Sequence, residues 1–329
     1  MEQQPQLNGK VENPNLKLGI IIVVVAIVLI ILAVCTDFYG GDKTLFGHVS
    51  SGDSSGDKPK NSGDVDPVVI DPKSETLEVY FFDVGQADCT LVRIGDKTML
   101  IDAGNNPDGK LISRFLRNDL SIKKIDYLIG THAHEDHIGG MDIIIEDFEI
   151  GNFYLPVQKA DSKSYNDVIE WAQKKNLKII NPNIGDTFEL GSAICEFMAQ
   201  DRNTEDLNES SIVLELTFKE KKFLFTADIL SSNEEARNWN DVDVLKVAHH
   251  GSTYSSSASF LRETLPEYAV ISCGRDNDYY YPHEAVLKRL EDVGCENVFV
   301  TSRDNTIYMV YDGNQLNGYK LQTILDGNT

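Results

Sequence analysis

The stretch His132-Ala-His134-Glu-Asp136-His137 constrains this 329-residue chain more than any other feature. It follows directly on a short apolar run, IDYLIG (125–130), and leads directly into Gly139-Gly140. The apolar run reads as a buried strand and the glycines as the entry to a helix over GGMDIIIEDF. A loop at a strand end can aim several side chains into one cavity. Imidazole together with carboxylate suits zinc, manganese or iron. Four such ligands crowd a single open-sided ion. His-x-His for one metal and Asp-His for a second is the natural division. A solvated histidine-rich loop does not explain this spacing at a strand end.

The flanking sequence predicts a layered α/β domain with two sheets. Strands are expected over 77–84, 89–95 and 97–104, then helix over 109–120, from the spacing of Leu111, Phe115, Leu116 and Leu120. In the second half, 167–176 reads as helix. SAICEFMAQ, SIVLELTFKE and KKFLFTADIL read as strands, the last two joined as a hairpin through KEKK (219–222). DVLKVAHH (243–250) reads as a strand ending in histidines. SASFLRETL and HEAVLKRLEDVG read as helices, with YAVISCG, NVFVTS and TIYMVYDG as strands.

Residues 1–75 differ in character. LGIIIVVVAIVLIILAVCT (18–36) carries no charge between Lys17 and Asp37. At ~1.5 Å per residue it is about 28 Å long, enough for a bilayer core. It is apolar on every face, so a core helix is excluded, and it exceeds the usual core of a cleaved signal peptide. The expected organisation is a cytoplasmic tail (1–17), a transmembrane signal-anchor helix (18–36), a Gly/Ser/Asp-rich flexible linker (37–75) and a folded domain (76–329). Lys10 and Lys17 before the apolar run, with Asp37 and Asp42 after it, place the folded domain outside a cell membrane crossed once.

Charge narrows the partners. The net charge is −22, and residues 1–75 hold only six of the 30 basic and ten of the 52 acidic residues. Broad electrostatic binding to nucleic acid or anionic lipid is therefore disfavoured. A bound metal can still reverse the field locally for an anionic substrate. The five cysteines, Cys35, Cys89, Cys195, Cys273 and Cys295, include no CxxC pair. They suggest small buried side chains rather than a disulfide framework or a thiolate zinc site.

The histidine motif resembles the first metal motif, H-x-H-x-D-H, of the metallo-β-lactamase fold superfamily. LIDAG (Asp102), FTAD (Asp228) and LKVAHHGS (His249, His250) resemble its later landmarks and come in the same order. A finer resemblance, through FFDVGQADCTLV, NESSIVLEL and SCGRDNDYYYPHEAVL, is to the soluble domain of the ComEC family of DNA-uptake (competence) proteins. It covers roughly 77–310. The long multi-helix channel of that family is not matched, so DNA transport is not implied.

The resemblance implies a four-layer αβ/βα sandwich with two divalent metals, zinc or manganese, at one edge between the sheets. His132 and His134 would bind the first metal. Asp136, His137 and one of the adjacent pair, assigned as His250, would bind the second, with Asp228 bridging. Asp136, His249 and Asp102 are the expected catalytic residues, His249 by touching substrate and Asp102 by orienting a ligand histidine from behind. Asn208, Ser211 and His283 are expected substrate contacts, and capping of the following helix is the other role open to His283. Asn208 stands where many superfamily members have a metal-binding histidine, and Tyr281 replaces a histidine of the family's GHPH.

The implied reaction is hydrolysis by a water activated between two metals. The bridging carboxylate favours a phosphodiester, possibly nucleic acid, over a lactam. Hydrolysis of another ester, a thioester or a lactam, and of a small phosphodiester, stays open. So does a tethered metal-binding or sensing module without turnover.

Overall fold

The computed structural model describes residues 75–321. The expected tail, anchor and nearly all of the linker lie outside these residues. Among the described residues no helix is long and apolar enough to cross a membrane.

Two sheets form the frame. The eight-stranded sheet runs in the order β15 (Leu316–Lys320), β14 (Ile307–Tyr311), β1 (Leu77–Phe81), β2 (Thr90–Ile94), β3 (Lys97–Ile101), β4 (Lys124–Ile129), β5 (Glu149–Tyr154), β6 (Ile179–Ile180). The seven-stranded sheet runs β13 (Asn297–Val300), β12 (Tyr268–Ile271), β11 (Val244–Lys246), β10 (Lys221–Phe225), β9 (Val213–Phe218), β8 (Ala193–Ala199), β7 (Thr187–Leu190). Pairing is parallel from β3 through β6 and from β10 through β13.

Strand alternation explains how the layers stack. Leu77, Val79 and Phe81 of β1 face the second sheet, with Val92, Ile94 and Met99 beside them. Leu214, Leu216, Phe218, Phe223 and Phe225 answer from β9 and β10. The opposite faces bury a second set. Tyr80, Leu91, Leu100 and Leu128 pack under Ile112, Phe115 and Leu116 of helix Asp108–Asn118 and under helices Met141–Asp147 and Lys163–Lys174. On the far side, Leu224, Leu245 and Ala269 pack under helices Ala258–Thr264 and Glu284–Asp292. The order is thus helices, sheet, sheet, helices, the expected four layers.

Four strands were not legible in the sequence: β5, β6, β7 and β15. β5 follows the helix after the histidine motif with no turn signal between them, and β7 alternates weakly, its Phe188 and Leu190 set between Thr187 and Glu189. Two expected boundaries also shift. The β9–β10 turn uses only Lys219 and Glu220, so Lys221 and Lys222 belong to β10. The expected strand over 243–250 stops at Lys246. Ala248–Gly251 then form a tight 3-10 turn, with His249 at φ 51° and His250 at φ 53°. The four described cysteines are buried and free, as expected.

Candidate metal centre

The parallel strands bring one kind of end together. Asp102 follows β3, the histidine motif follows β4, Asp228 follows β10, and His249–His250 follow β11. The carboxyl ends of parallel strands are where open α/β sheets gather binding groups. Here two such edges face each other.

The motif is fixed from its back. Helix Glu135–Ile138 carries Asp136 and His137. The glycines after it permit close packing: a Cβ on Gly140 would lie 2.4 Å from Ala103 O, and one on Gly139 would lie 2.5 Å from Asn106 N. The Ala103 N–H donates to His137 O at 2.7 Å. Asp102, in the left-handed region at φ 60°, accepts from Thr131 N–H and from the Thr131 hydroxyl, both at 2.8 Å. Its Oδ2 also lies 2.8 Å from His137 Nδ1. That contact makes Nδ1 the N–H side of the ring and turns Nε2 the other way.

What Nε2 meets is a ring of further polar atoms. It lies 3.4 Å from Asp228 Oδ1 and 4.0 Å from Asp136 Oδ2. His250 Nε2 is 3.2 Å from Asp136 Oδ2 and 3.4 Å from Asp228 Oδ2. His132 Nε2 is 3.0 Å from His134 Nδ1. His249 is the more exposed of the adjacent pair, with its Nε2 3.9 Å from Asp228 Oδ2. Turning the chain through left-handed φ at both residues lets these neighbours reach one cavity, which straight strand geometry forbids. The cavity holds about 270 Å³, and His134, Asp136, Asp228, His249, His250 and Asn208 line it.

Residues 82–275, more than half of the chain, match the metallo-beta-lactamase superfamily. The chain belongs to that superfamily. It is 28% identical to ComE operon protein 3 of Bacillus subtilis (strain 168) over 257 residues, 71% of this chain and 33% of that protein. It is 28% identical to Recombination protein 2 of Haemophilus influenzae over 228 residues, 65% of this chain and 26% of that protein. Competence protein ComA of Neisseria gonorrhoeae matches at 28% over 231 residues, 68% of this chain and 31% of that protein. The chain therefore spans a third or less of the length of these curated relatives.

The superfamily generally binds divalent metals, and the donor set here fits such a cation. His137 Nε2, His250 Nε2 and Asp228 Oδ1 are buried without a hydrogen-bond partner. Unpaired buried polar atoms are costly and call for an ion or water. Among the described residues four groups of ligand atoms are close enough to hold an ion: His132, His137 and Asp228; Asp136, His137 and His250; and two that take in Asp88, with Asp102 and His137 or with Asp228 and His250. The electrostatics agree. Burial pushes the His137 imidazole down, but Asp228, Asp102 and Asp136 outweigh it and hold the group well above its ordinary value. Burial likewise opposes charge on His250, yet Asp228, Asp136 and Asp88 raise it to about 10. The carboxylates demand positive charge at these nitrogens, which protons or metal ions can supply.

Two expected substrate contacts do not reach the cavity. Ser211 is fully buried behind the histidines: its Oγ lies 3.3 Å from His132 Nδ1 and accepts from Asp228 N–H at 3.3 Å. It sits two residues before β9 begins, and that strand's entry is tied under the motif by Ile212 N–H to Thr131 O at 2.9 Å. His283 is engaged elsewhere. Its Nδ1 accepts from Thr253 N–H at 3.0 Å, and its side chain does not cap helix Glu284–Asp292 either. Asp102 is buried and bonded to Thr131 and His137, so it stands behind the site and outside substrate reach. Asn208 does line the cavity, with its Oδ1 unpaired. Tyr281 lines it too, stacked on His250 with ring centroids 6.2 Å apart.

Sequence reasoning missed Asp88, Lys246, Thr131 and Glu234. Glu234 accepts from Ser256 and Ser257 N–H at 2.5 and 2.8 Å and so ties down the loop after the histidine pair. A charged residue inside an apolar run was the available signal: Asp88 between Ala87 and Cys89, Lys246 between Leu245 and Val247.

Proposed function

We propose that this chain is a dinuclear metal-dependent phosphodiesterase, tethered to a membrane through residues 18–36 and acting outside it. The observation that supports this most is Asp228. Its carboxylate lies within ligand range of His132 and His137 together and, through Oδ2, 3.4 Å from His250 Nε2, so it faces nitrogens assigned to both ions. A shared carboxylate suits a closely spaced pair of ions that clamps phosphoester oxygens. In this reading His132, His134 and Asp228 would hold one ion, and Asp136, His137, His250 and Asp228 would hold the other. Bound there, the ions supply an activated water and offset the charge that develops on the phosphate.

The chain's own residues do the rest. Asp102 keeps Nε2 of His137 facing the cavity. His249, at the cavity mouth, contacts the substrate. Asn208 brings an unpaired carbonyl oxygen and an amide to the same wall, leaving that side more open than a histidine would. Among the described residues no lysine or arginine lines the cavity. Nucleic acid remains a candidate substrate, but its recognition would depend on the ions rather than on a basic groove.

The test is a screen of the full chain loaded with zinc or manganese. Bis(p-nitrophenyl) phosphate and single-stranded DNA are compared with thioester and lactam substrates. Hydrolysis of the phosphodiesters with near two metal equivalents supports the reading. Full metal occupancy with no turnover on any substrate would replace the enzyme by a metal-binding or sensing module. Preferential turnover of the thioester or lactam would change the substrate class.

A further inference from the structure

Two opposite charges are buried between the sheets. Asp88 lies just before β2, and Lys246 ends β11. Strand alternation puts Lys246 on the same face as Val244, which packs between the sheets. Its Nζ crosses to Asp88 Oδ2 at 2.7 Å, with the two side chains only 3% and 6% exposed. Such a pair is weak evidence for stability, because well-packed apolar residues of similar volume are often as good or better. Its presence asks for another role.

The second oxygen of Asp88 suggests one. Oδ1 lies 3.4 Å from His250 Nδ1, which also lies 2.9 Å from Ser272 O. The Ser272 carbonyl makes Nδ1 the N–H side of the ring, and Asp88 Oδ1, which has no hydrogen bond of its own, lies at ion-pair distance behind it, so Nε2 is the nitrogen left to face the cavity. The main chain of Asp88 acts on the other ligands. Its N–H donates to Asp136 O at 3.0 Å, and its carbonyl accepts from Gly104 N–H at 2.9 Å. One residue thus touches the ring of His250 and the backbone of Asp136. Asp88 itself does not line the cavity: Oδ2 is paired with Lys246, and Oδ1, buried without a hydrogen bond, lies behind His250 on the side away from the cavity.

We propose that Asp88 and Lys246 form a positioning pair for the metal centre, orienting His250 and Asp136 across the two sheets. This rests on the metal-centre reading above. Lys246 neutralises the carboxylate, so His250 is backed without adding net negative charge behind the ligands. Asp102 behind His137 has Thr131 as a partner and no such cation. Partners of this kind behind a metal ligand are worth about 10- to 100-fold in metal affinity.

The experiment compares the full chain with Asp88→Asn, Lys246→Met and the double variant. Cobalt(II) affinity is measured by chelator competition, the cobalt absorption spectrum is recorded, and the melting temperature of the metal-free protein is taken. Each single variant leaves a buried charge without its partner and lowers the melting temperature. The double variant removes both charges and recovers it. Cobalt affinity is expected to fall about 10- to 100-fold in Asp88→Asn and to stay low in the double variant, with an altered spectrum. Saturating cobalt still loads as many equivalents as in the wild type. A double variant with wild-type affinity and spectrum overturns the proposal, because the pair is then only structural. Loss of an equivalent at saturation overturns it too, because Asp88 is then a ligand. A wild-type chain that binds cobalt but hydrolyses no phosphodiester fails the functional reading alone.

Discussion

The two walls of the metal centre are built in different ways. The wall on the eight-stranded sheet takes His132, His134, Asp136 and His137 from six consecutive positions, with Asp102 behind them at the end of the neighbouring strand. The wall on the seven-stranded sheet takes Asp228 from the end of β10 and His250 from a left-handed turn after β11, with Asp88 reaching over from the other sheet. The first wall is local and pinned by hydrogen bonds within its own sheet. The second depends on the two sheets being in register. Damage to the first should therefore be confined, and damage to the second should spread.

Asp228→Ala tests this most severely, because Asp228 faces nitrogens of both walls. Removing a shared ligand should cost more than the about 10- to 100-fold typical of groups behind a ligand. Metal affinity and phosphodiester hydrolysis should both fall more than a hundredfold, with the circular dichroism spectrum unchanged. Undiminished activity would remove Asp228 from the joint between the walls. Loss of only one metal equivalent would show the walls to be separable.

Asp102→Asn probes the local wall alone. The amide can still accept from Thr131 N–H but is a weaker partner for His137 Nδ1–H. A fall of about 10- to 100-fold is expected in affinity for the ion that His137 helps hold, with the ion assigned to His132 and His134 retained. Chelator competition on the metal-loaded protein reads this directly. An equal loss of both ions would mean that damage behind His137 is not confined to that ligand.

The same contrast decides what the sequence could show. The local wall was legible because its ligands are neighbours in the chain and the strand before them is apolar. The order of the landmarks Asp102, Asp228 and His249–His250 was legible through family resemblance. Distributed contacts were not. Ser211 and His283 are polar residues near the right motifs, yet one is buried behind His132 and the other is bonded to Thr253. No local pattern tells the front of a ligand from its back. Nor did the strand pattern foresee the left-handed turn at His249 and His250, since it demands φ values that only the completed site enforces.

Ser211 joins the walls, with His132 Nδ1 on one side and Asp228 N–H on the other. Ser211→Ala should leave that N–H unpaired in a buried place and cost about 1–3 kcal/mol of stability. Because the hydroxyl is not a ligand, metal affinity should change only a few-fold. A chemical denaturation curve and a metal titration on the same sample separate the two effects. His283→Ala, outside the cavity, should leave metal affinity unchanged.

Away from the site the sheets are also joined at their edges, by Asp304. Asp304 follows β13 of the seven-stranded sheet, and its Oδ1 lies 2.7 Å from Nζ of Lys320 on β15 of the eight-stranded sheet. Burial pushes its carboxyl up, but hydrogen bonds from Arg303, Lys320 and Val300 N–H outweigh that and leave it at about 2. The folded chain thus binds this proton less readily than the unfolded chain. The contribution is fully present above the ordinary carboxylate range, near pH 4, and is lost as pH falls through about 2. Arg303 and Lys320 are themselves largely solvent-exposed, so solvent screening keeps the effect to about 1–2 kcal/mol. Asp304→Asn should lower stability at pH 7 by that amount and flatten its decline between pH 4 and pH 2, as read from urea midpoints. Metal affinity at pH 7 should not move. If it does move, the register on which the second wall depends is set in part at this edge.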